Sequence, residues 1–127
     1  MIDIKLLYAT PLSVVEKAIN TCWDKHNTCK VGEVNTDKLT RVIRKFKHAS
    51  TAEHGRFVFN FTINNLIDLS VIENMKNNKY FIVEKKENKL YTISTNLRAI
   101  IESDISSMYK EAMVSEEYYF LIRNEDE

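Results

Sequence analysis

The chain has 127 residues, the span of one small domain, and it sets 18 Lys and Arg against 18 Asp and Glu, a formal net charge of zero. At 44% hydrophobic and 28% charged it can bury a core beneath an ordinary water-facing surface. That balance excludes wholesale nucleic-acid wrapping and a polybasic membrane anchor.

The opening Met-Ile-Asp-Ile-Lys lacks the apolar core of a secretory leader, and no apolar run has the length of a membrane span, so a cytoplasmic protein is expected. Residues 2–8 alternate as a first strand. Thr10-Pro11 predicts a helix start, a capping hydroxyl followed by proline at the first helical position, with Ser13 and Glu16 as a competing capping box. The helix is expected to reach Asp24 and to bury Leu12, Val15, Ala18, Ile19 and Cys22 or Trp23. A polar loop follows from His26 to Asn35. Cys22 and Cys29 lie seven apart with no CxxC pattern, which fits a reducing compartment better than a disulfide framework. With His26 they match no familiar zinc spacing, so no metal is expected. Thr36-Asp37 restarts a helix with Leu39, Val42, Ile43 and Phe46 inward, and Arg41, Arg44, Lys45 and Lys47 read as its solvated face.

After the segment His48 to His54 comes a strand at 56–63, with Phe57, Phe59, Phe61 and Ile63 on one face and Arg56, Val58, Asn60 and Thr62 on the other. Asn64-Asn65 ends it. Leu66 to Met75 has helical spacing, with Leu66, Leu69, Ile72 and Met75 on one stripe. Residues 80–84 and 89–94 read as a hairpin joined by Lys85-Lys86-Glu87-Asn88. Residues 96 to about 113 read as one helix, with Leu97, Ile100, Ile101, Ile105, Met108 and Met113 inward. Tyr118 to Ile122 is apolar enough to dock, ahead of a fraying acidic end at 124–127. Only two glycines and one proline punctuate the chain, which points to a single domain over 1–127 with no flexible linker. Strands and helices mix without alternating, so the expected class is α+β, an antiparallel sheet packed with helices.

The candidate site is His48-Ala49-Ser50-Thr51-Ala52-Glu53-His54. Ser50 and Glu53 form a capping box that needs no ligand. The same polar helix start also suits an anion, because free N–H groups and the helix dipole point outward. Both readings stand on the residues alone. His48 and His54 could trade protons near neutral pH, but they fall on different sides of a single turn. Ser50 has no evident Asp-His partnership and Cys22 no context that would lower its pKa, so covalent catalysis is disfavoured.

The chain resembles the flavin-dependent thymidylate synthases across Tyr8-Ala9-Thr10-Pro11-Leu12, Asn20-Thr21-Cys22-Trp23, His48 through His54, and the aromatic strand Phe57 to Ile63. The likeness returns at Tyr91 to Arg98, where Asn96 and Arg98 match an Asn-x-Arg segment. The resemblance implies FAD as cofactor, held by His48, Ser50 and Glu53, with Cys22 approaching the flavin phosphates and Asn96 and Arg98 completing the cofactor set. Full activity in that family implies methylene-tetrahydrofolate, NADPH and dUMP in a homotetramer with sites between subunits.

The pattern then departs. Where the family carries Gln-x-x-Arg-His-Arg, this chain reads Glu73-Asn74-Met75-Lys76-Asn77-Asn78, which leaves Glu73 and Lys76 as the substrate-binding candidates. The family's Ser-Arg pair earlier in that helix is Ile67-Asp68, its late arginine is replaced by serine in Ser106-Ser107, and its middle helical section is missing. Two lost arginine contacts to a nucleotide phosphate forfeit about 3–6 kcal/mol, roughly a 10²- to 10⁴-fold loss of affinity, and lysine or asparagine does not restore a bidentate fork.

The expected protein is therefore a shortened, degenerate relative that has lost dUMP-phosphate binding and acts as a flavin- or nucleotide-binding or regulatory protein. The alternatives are an enzyme of altered flavin or nucleotide chemistry, and an interaction module. A dimer or tetramer of the chain is expected, with no membrane and no specific nucleic acid as partner.

Overall fold

The computed structural model describes residues 1–15, 17 and 55–123. Four strands form one antiparallel sheet: β1 (Ile4–Ala9), β2 (Arg56–Thr62), β3 (Ile82–Glu87) and β4 (Leu90–Asn96), in the order β1-β2-β4-β3. Beyond β2, the described residues form helices α1 (Leu66–Lys76), α2 (Leu97–Glu102), α3 (Ser107–Met113) and α4 (Tyr119–Arg123), with a 3₁₀ turn at Glu116–Tyr118. The expected α+β class, an antiparallel sheet packed with helices, is the architecture observed.

The sheet takes its register from the phenylalanines. Phe57, Phe59 and Phe61 are fully buried on one face of β2, while the residues between them are half-buried on the other. A one-residue slip would turn the whole aromatic set to the opposite face, so the period-two pattern fixes the pairing. Phe59 lies opposite Leu6 on β1 and Ile93 on β4. The C-terminal segment closes over that face. Tyr118 meets Phe57 edge-on at 5.0 Å, and Tyr109 of α3 leans on Phe61 at 6.0 Å.

The first strand reads nearly as expected, except that its alternation breaks at a register shift between Leu6 and Tyr8, which leaves Leu7 and Tyr8 exposed. Residues 12–15 are helical, with Leu12 and Val15 buried. The Thr10 hydroxyl does not cap that helix. It accepts from the Arg56 N–H at 2.9 Å and donates to the Arg56 carbonyl, which ties the strand end to β2. The Leu12 N–H instead donates to Glu117 Oε2 at 3.1 Å.

Three expectations need correcting. The inward stripe of α1 is Asp68, Val71, Ile72 and Met75, whereas Leu66 and Leu69 face outward. The helix is rotated because Asp68 is drawn inside: Tyr109 Oη donates to its Oδ1 at 2.6 Å, and the Asn64 N–H to its Oδ2 at 2.9 Å. The helix expected over 96–113 is two helices, α2 and α3. Ser103 turns extended at ψ 157°, and the Ser106 side chain caps a new start by accepting from the Met108 N–H. The break turns Met108 outward at 70% exposure. The hairpin turns later than expected, at Asn88-Lys89 between Glu87 and Leu90, with Lys89 taking φ 73° in the left-handed region.

The apolar tail docks as expected, burying Tyr118, Leu121 and Ile122. The expected helix end near Asp24, the loop and helix that follow it, the cysteine and basic clusters, and the fraying end at 124–127 lie outside the described residues.

Candidate functional site

The described residues form a groove of about 530 Å³ where α1 ends beside α2. It is lined by Asn74, Asn77, Asn78, Lys79, Tyr80, Ala99 and Glu102. Its floor is built by the turn that leaves α1. Asn77 caps the helix with φ −87° and ψ 0°, its N–H donating to the Glu73 carbonyl at 3.2 Å. Asn78 then makes a side-chain turn, its Oδ1 accepting from the Tyr80 N–H at 2.9 Å, while its carbonyl accepts from the Phe81 N–H. Buried Phe81 plugs the loop into the core, and Thr95 Oγ1 donates to the Tyr80 carbonyl at 3.0 Å. Short amide side chains suit this chemistry because they fold back on their own backbone.

The charges around the groove meet ion-pair or aromatic partners. Arg98, in the first turn of α2, donates from Nε to Glu102 Oε2 at 3.0 Å, and its guanidinium sits 5.9 Å from the centre of the Tyr80 ring. Lys79 Nζ lies 5.2 Å from the same ring. Lys76 Nζ is 3.4 Å from Glu73 Oε1 and 5.2 Å from the Tyr91 ring. Exposed pairs of this kind stabilise little, but they fix where the charges sit.

Of the residues singled out from sequence, Cys22, His48, Ser50 and Glu53 lie outside the described residues. Glu73 and Lys76 flank the groove at the end of α1, and Asn96 and Arg98 flank it at the start of α2; none of the four lines it. Asn96 is buried, and its Oδ1 accepts from the Ala99 N–H at 2.8 Å as the cap of α2. Sequence reading passed over Lys79, Tyr80 and Ala99. The available signal was the polar run Asn77-Asn78-Lys79 between a helix and a strand, a composition that builds a side-chain-supported turn. Among the described residues no cluster of three His, Cys, Asp or Glu could hold a metal, and no helix is long and apolar enough to cross a membrane.

No family model matches the chain. Two curated proteins named flavin-dependent thymidylate synthase, from Campylobacter jejuni strain RM1221 and from Campylobacter jejuni subsp. jejuni serotype O:2, are each 45% identical to it over 58 residues. That stretch is 45% of this chain and only 28% of the length of either relative. In fold, the chain is similar to a crystal structure of thymidylate synthase X from Helicobacter pylori with FAD and dUMP, at a TM-score of 0.66 and 15% identity, covering 98% of this chain and 99% of that one. A second structure of the flavin-dependent enzyme from Helicobacter pylori, complexed with FAD and dUMP, gives a TM-score of 0.67 over 96% of this chain and 98% of that one.

Proposed function

We propose, from the premise that this chain is a relative of the flavin-dependent thymidylate synthases in one stretch of sequence and in fold, that it binds a flavin or nucleotide but no longer makes dTMP by itself. The observation that carries the reading is the groove at the end of α1. At the positions where the resemblance implies an arginine clamp, it presents the carboxamides of Asn77 and Asn78, and the neighbouring Lys76 is paired with Glu73. Carboxamides donate hydrogen bonds without charge, so a dianionic phosphate loses both the Coulomb attraction and the bidentate fit of guanidinium.

The cofactor side of the proposal rests on His48, Ser50, Glu53 and Cys22, together with Arg98 at the start of α2. By residue type, a hydroxyl and an imidazole fit a phosphorylated cofactor, and a carboxylate fits its ribose. Asn96 has Oδ1 committed to the cap of α2, so its share is to set the direction of the turn that carries Arg98. Bound flavin would supply hydride chemistry. The chain's own residues would orient it and keep its phosphates paired.

Calorimetry separates the two halves of the reading. FAD is expected to bind in the micromolar range and dUMP at least a hundredfold more weakly, and the chain is not expected to rescue a thymidine auxotroph. Rescue, or tight dUMP binding, defeats the loss of substrate grip; no FAD binding at high micromolar ligand defeats the cofactor half.

A second reading, self-association, is favoured by the outer side of α1, where Leu66 and Ile67 are 82% and 66% exposed. A second copy covering that face would bury both. Light scattering after size exclusion is expected to give a multiple of 14.9 kDa, and Ile67→Lys to reduce it. A monomer at high micromolar concentration rejects this reading.

A further inference from the structure

We propose that β1 is the docking edge for a second copy of this chain, the two β1 strands pairing antiparallel about a two-fold axis through Ile4, so that the four-stranded sheets of both copies run together as one. This surface is separate from the Leu66 and Ile67 face of α1, and the pairing does not depend on ligand binding.

The two edges of the sheet are built differently. Among the described residues, β1 and β3 each have a neighbour on one side only. β3 carries the exposed run Glu84-Lys85-Lys86-Glu87, with Lys86 paired to Glu84 at 2.9 Å and the register broken between Lys85 and Glu87. Charges and a bulge are the usual means of keeping a sheet edge from pairing. Residues 2–6 of the other edge carry only Asp3 and Lys5, which are opposite in sign, and the register with β2 stays regular until after Leu6.

The backbone determines which groups that edge offers. The Asp3 carbonyl accepts from the Thr62 N–H at 3.0 Å, so Asp3 directs its backbone groups to β2. Direction alternates along an antiparallel strand. Lys5 therefore also bonds towards β2, and Ile2, Ile4 and Leu6 turn their N–H and C=O groups to the open edge. The side chains of these three pack partly buried against the core, while Asp3 and Lys5 stand exposed on the opposite face.

A single register suits both the faces and the charges. Opposing residues must share a face if the two cores are to be continuous, and like charges directly opposite each other are destabilising. An axis through Asp3 sets Asp3 against its own counterpart, and an axis through Lys5 does the same for Lys5. An axis through Ile4 instead sets Ile4 opposite Ile4, Asp3 opposite Lys5 and Ile2 opposite Leu6. Ile4 and its counterpart then exchange both of their backbone hydrogen bonds. Asp3 and Lys5 meet in the closer, non-hydrogen-bonded pairs on either side of the axis. Ile2, Ile4 and Leu6 of both copies form one apolar row beside the buried Phe59 and Phe61. The register shift after Leu6 lies just beyond the last pair, where a bulge ends pairing.

A strand pairing of this length is smaller than a standard interface, so a dimer of micromolar affinity is expected. Sedimentation equilibrium of the full chain at neutral pH is expected to give twice 14.9 kDa at high micromolar concentration and a monomer on dilution. Asp3→Lys and Lys5→Asp each place like charges opposite one another on both sides of the axis, and each is expected to weaken the dimer about tenfold. The double swap, Asp3→Lys with Lys5→Asp, is expected to restore it, which a merely structural role for either residue would not allow. Ile67→Lys is expected to leave this dimer in place, whether or not the parent assembles further. A monomer at high micromolar concentration overturns the proposal, as do single variants that dimerise like the parent, or a double swap as weak as the singles. A dimer lost in Ile67→Lys and kept in Lys5→Asp assigns self-association to α1 and overturns the pairing of β1.

Discussion

Phe59→Ala is expected to cost about 3–5 kcal/mol, a large share of the roughly 5–15 kcal/mol that holds a domain of this size together. Phe59 is fully buried at the middle of β2, which is flanked by strands on both sides, and its partners across the sheet are Leu6 and Ile93. The paired strands on both sides hold the backbone around the ring in place. The lost transfer free energy therefore comes with most of a cavity penalty. The control is Val58→Ala, one residue along on the half-buried face, where a smaller side chain is removed from beside water. Urea denaturation of both variants gives the comparison. Equal losses, or a loss below about 1 kcal/mol for Phe59→Ala, would mean that the aromatic face is not the core.

The second large effect belongs to the pair between α1 and α3. Tyr109 donates to buried Asp68 at 2.6 Å, and removing that hydroxyl leaves a carboxylate oxygen without its partner. Tyr109→Phe is expected to cost about 1.5–3 kcal/mol near neutral pH, the range for a hydrogen bond to a charged group. The pH dependence has a definite sign. Burial first, and then the hydrogen bond and charge of Asp68, push the Tyr109 phenol from its ordinary 10.0 up to about 12. The folded chain thus holds that proton more tightly than the unfolded chain does. The contribution is complete below pH 10 and is lost as pH rises from 10 to 12. Burial pushes Tyr118 up as well, so part of the alkaline loss remains in the variant. Chemical denaturation at a series of pH values should show a shallower decline for Tyr109→Phe than for the parent. Parallel curves would show that the phenol plays no part in alkaline unfolding.

These two sites also show what could be read from the chain. The aromatic run of β2 was legible because period-two burial leaves a mark in the sequence that nothing else imitates at such length. The stripe of α1 was not, since a buried aspartate looks like a surface residue until Tyr109, 41 positions away, is seen to meet it. The break between α2 and α3 was written in Ser103-Asp104-Ile105-Ser106, but apolar spacing on either side continues across it and hides the new cap. The turn at Lys89 carries no glycine to announce its positive φ. At the candidate site, Glu73, Lys76, Asn96 and Arg98 were singled out from sequence and sit beside the groove without lining it, whereas Tyr80, which lines it, was passed over. A tyrosine opening a strand looks like a strand residue, and only the Asn78 turn brings it to the groove.

The stitch between the two ends of the described fold has a kinetic consequence. Glu117 reaches the Leu12 N–H across 105 positions, and the Tyr118 hydroxyl donates to the Thr10 carbonyl across 108 at 2.6 Å. No local nucleus can contain either bond. β1 can pair with β2, and the hairpin of β3 and β4 can form, while the Thr10 carbonyl still waits for its partner. Both bonds can close only after the sheet has brought β1 and the segment beyond β4 together, which places the acquisition of the native state after the pairing of the strands.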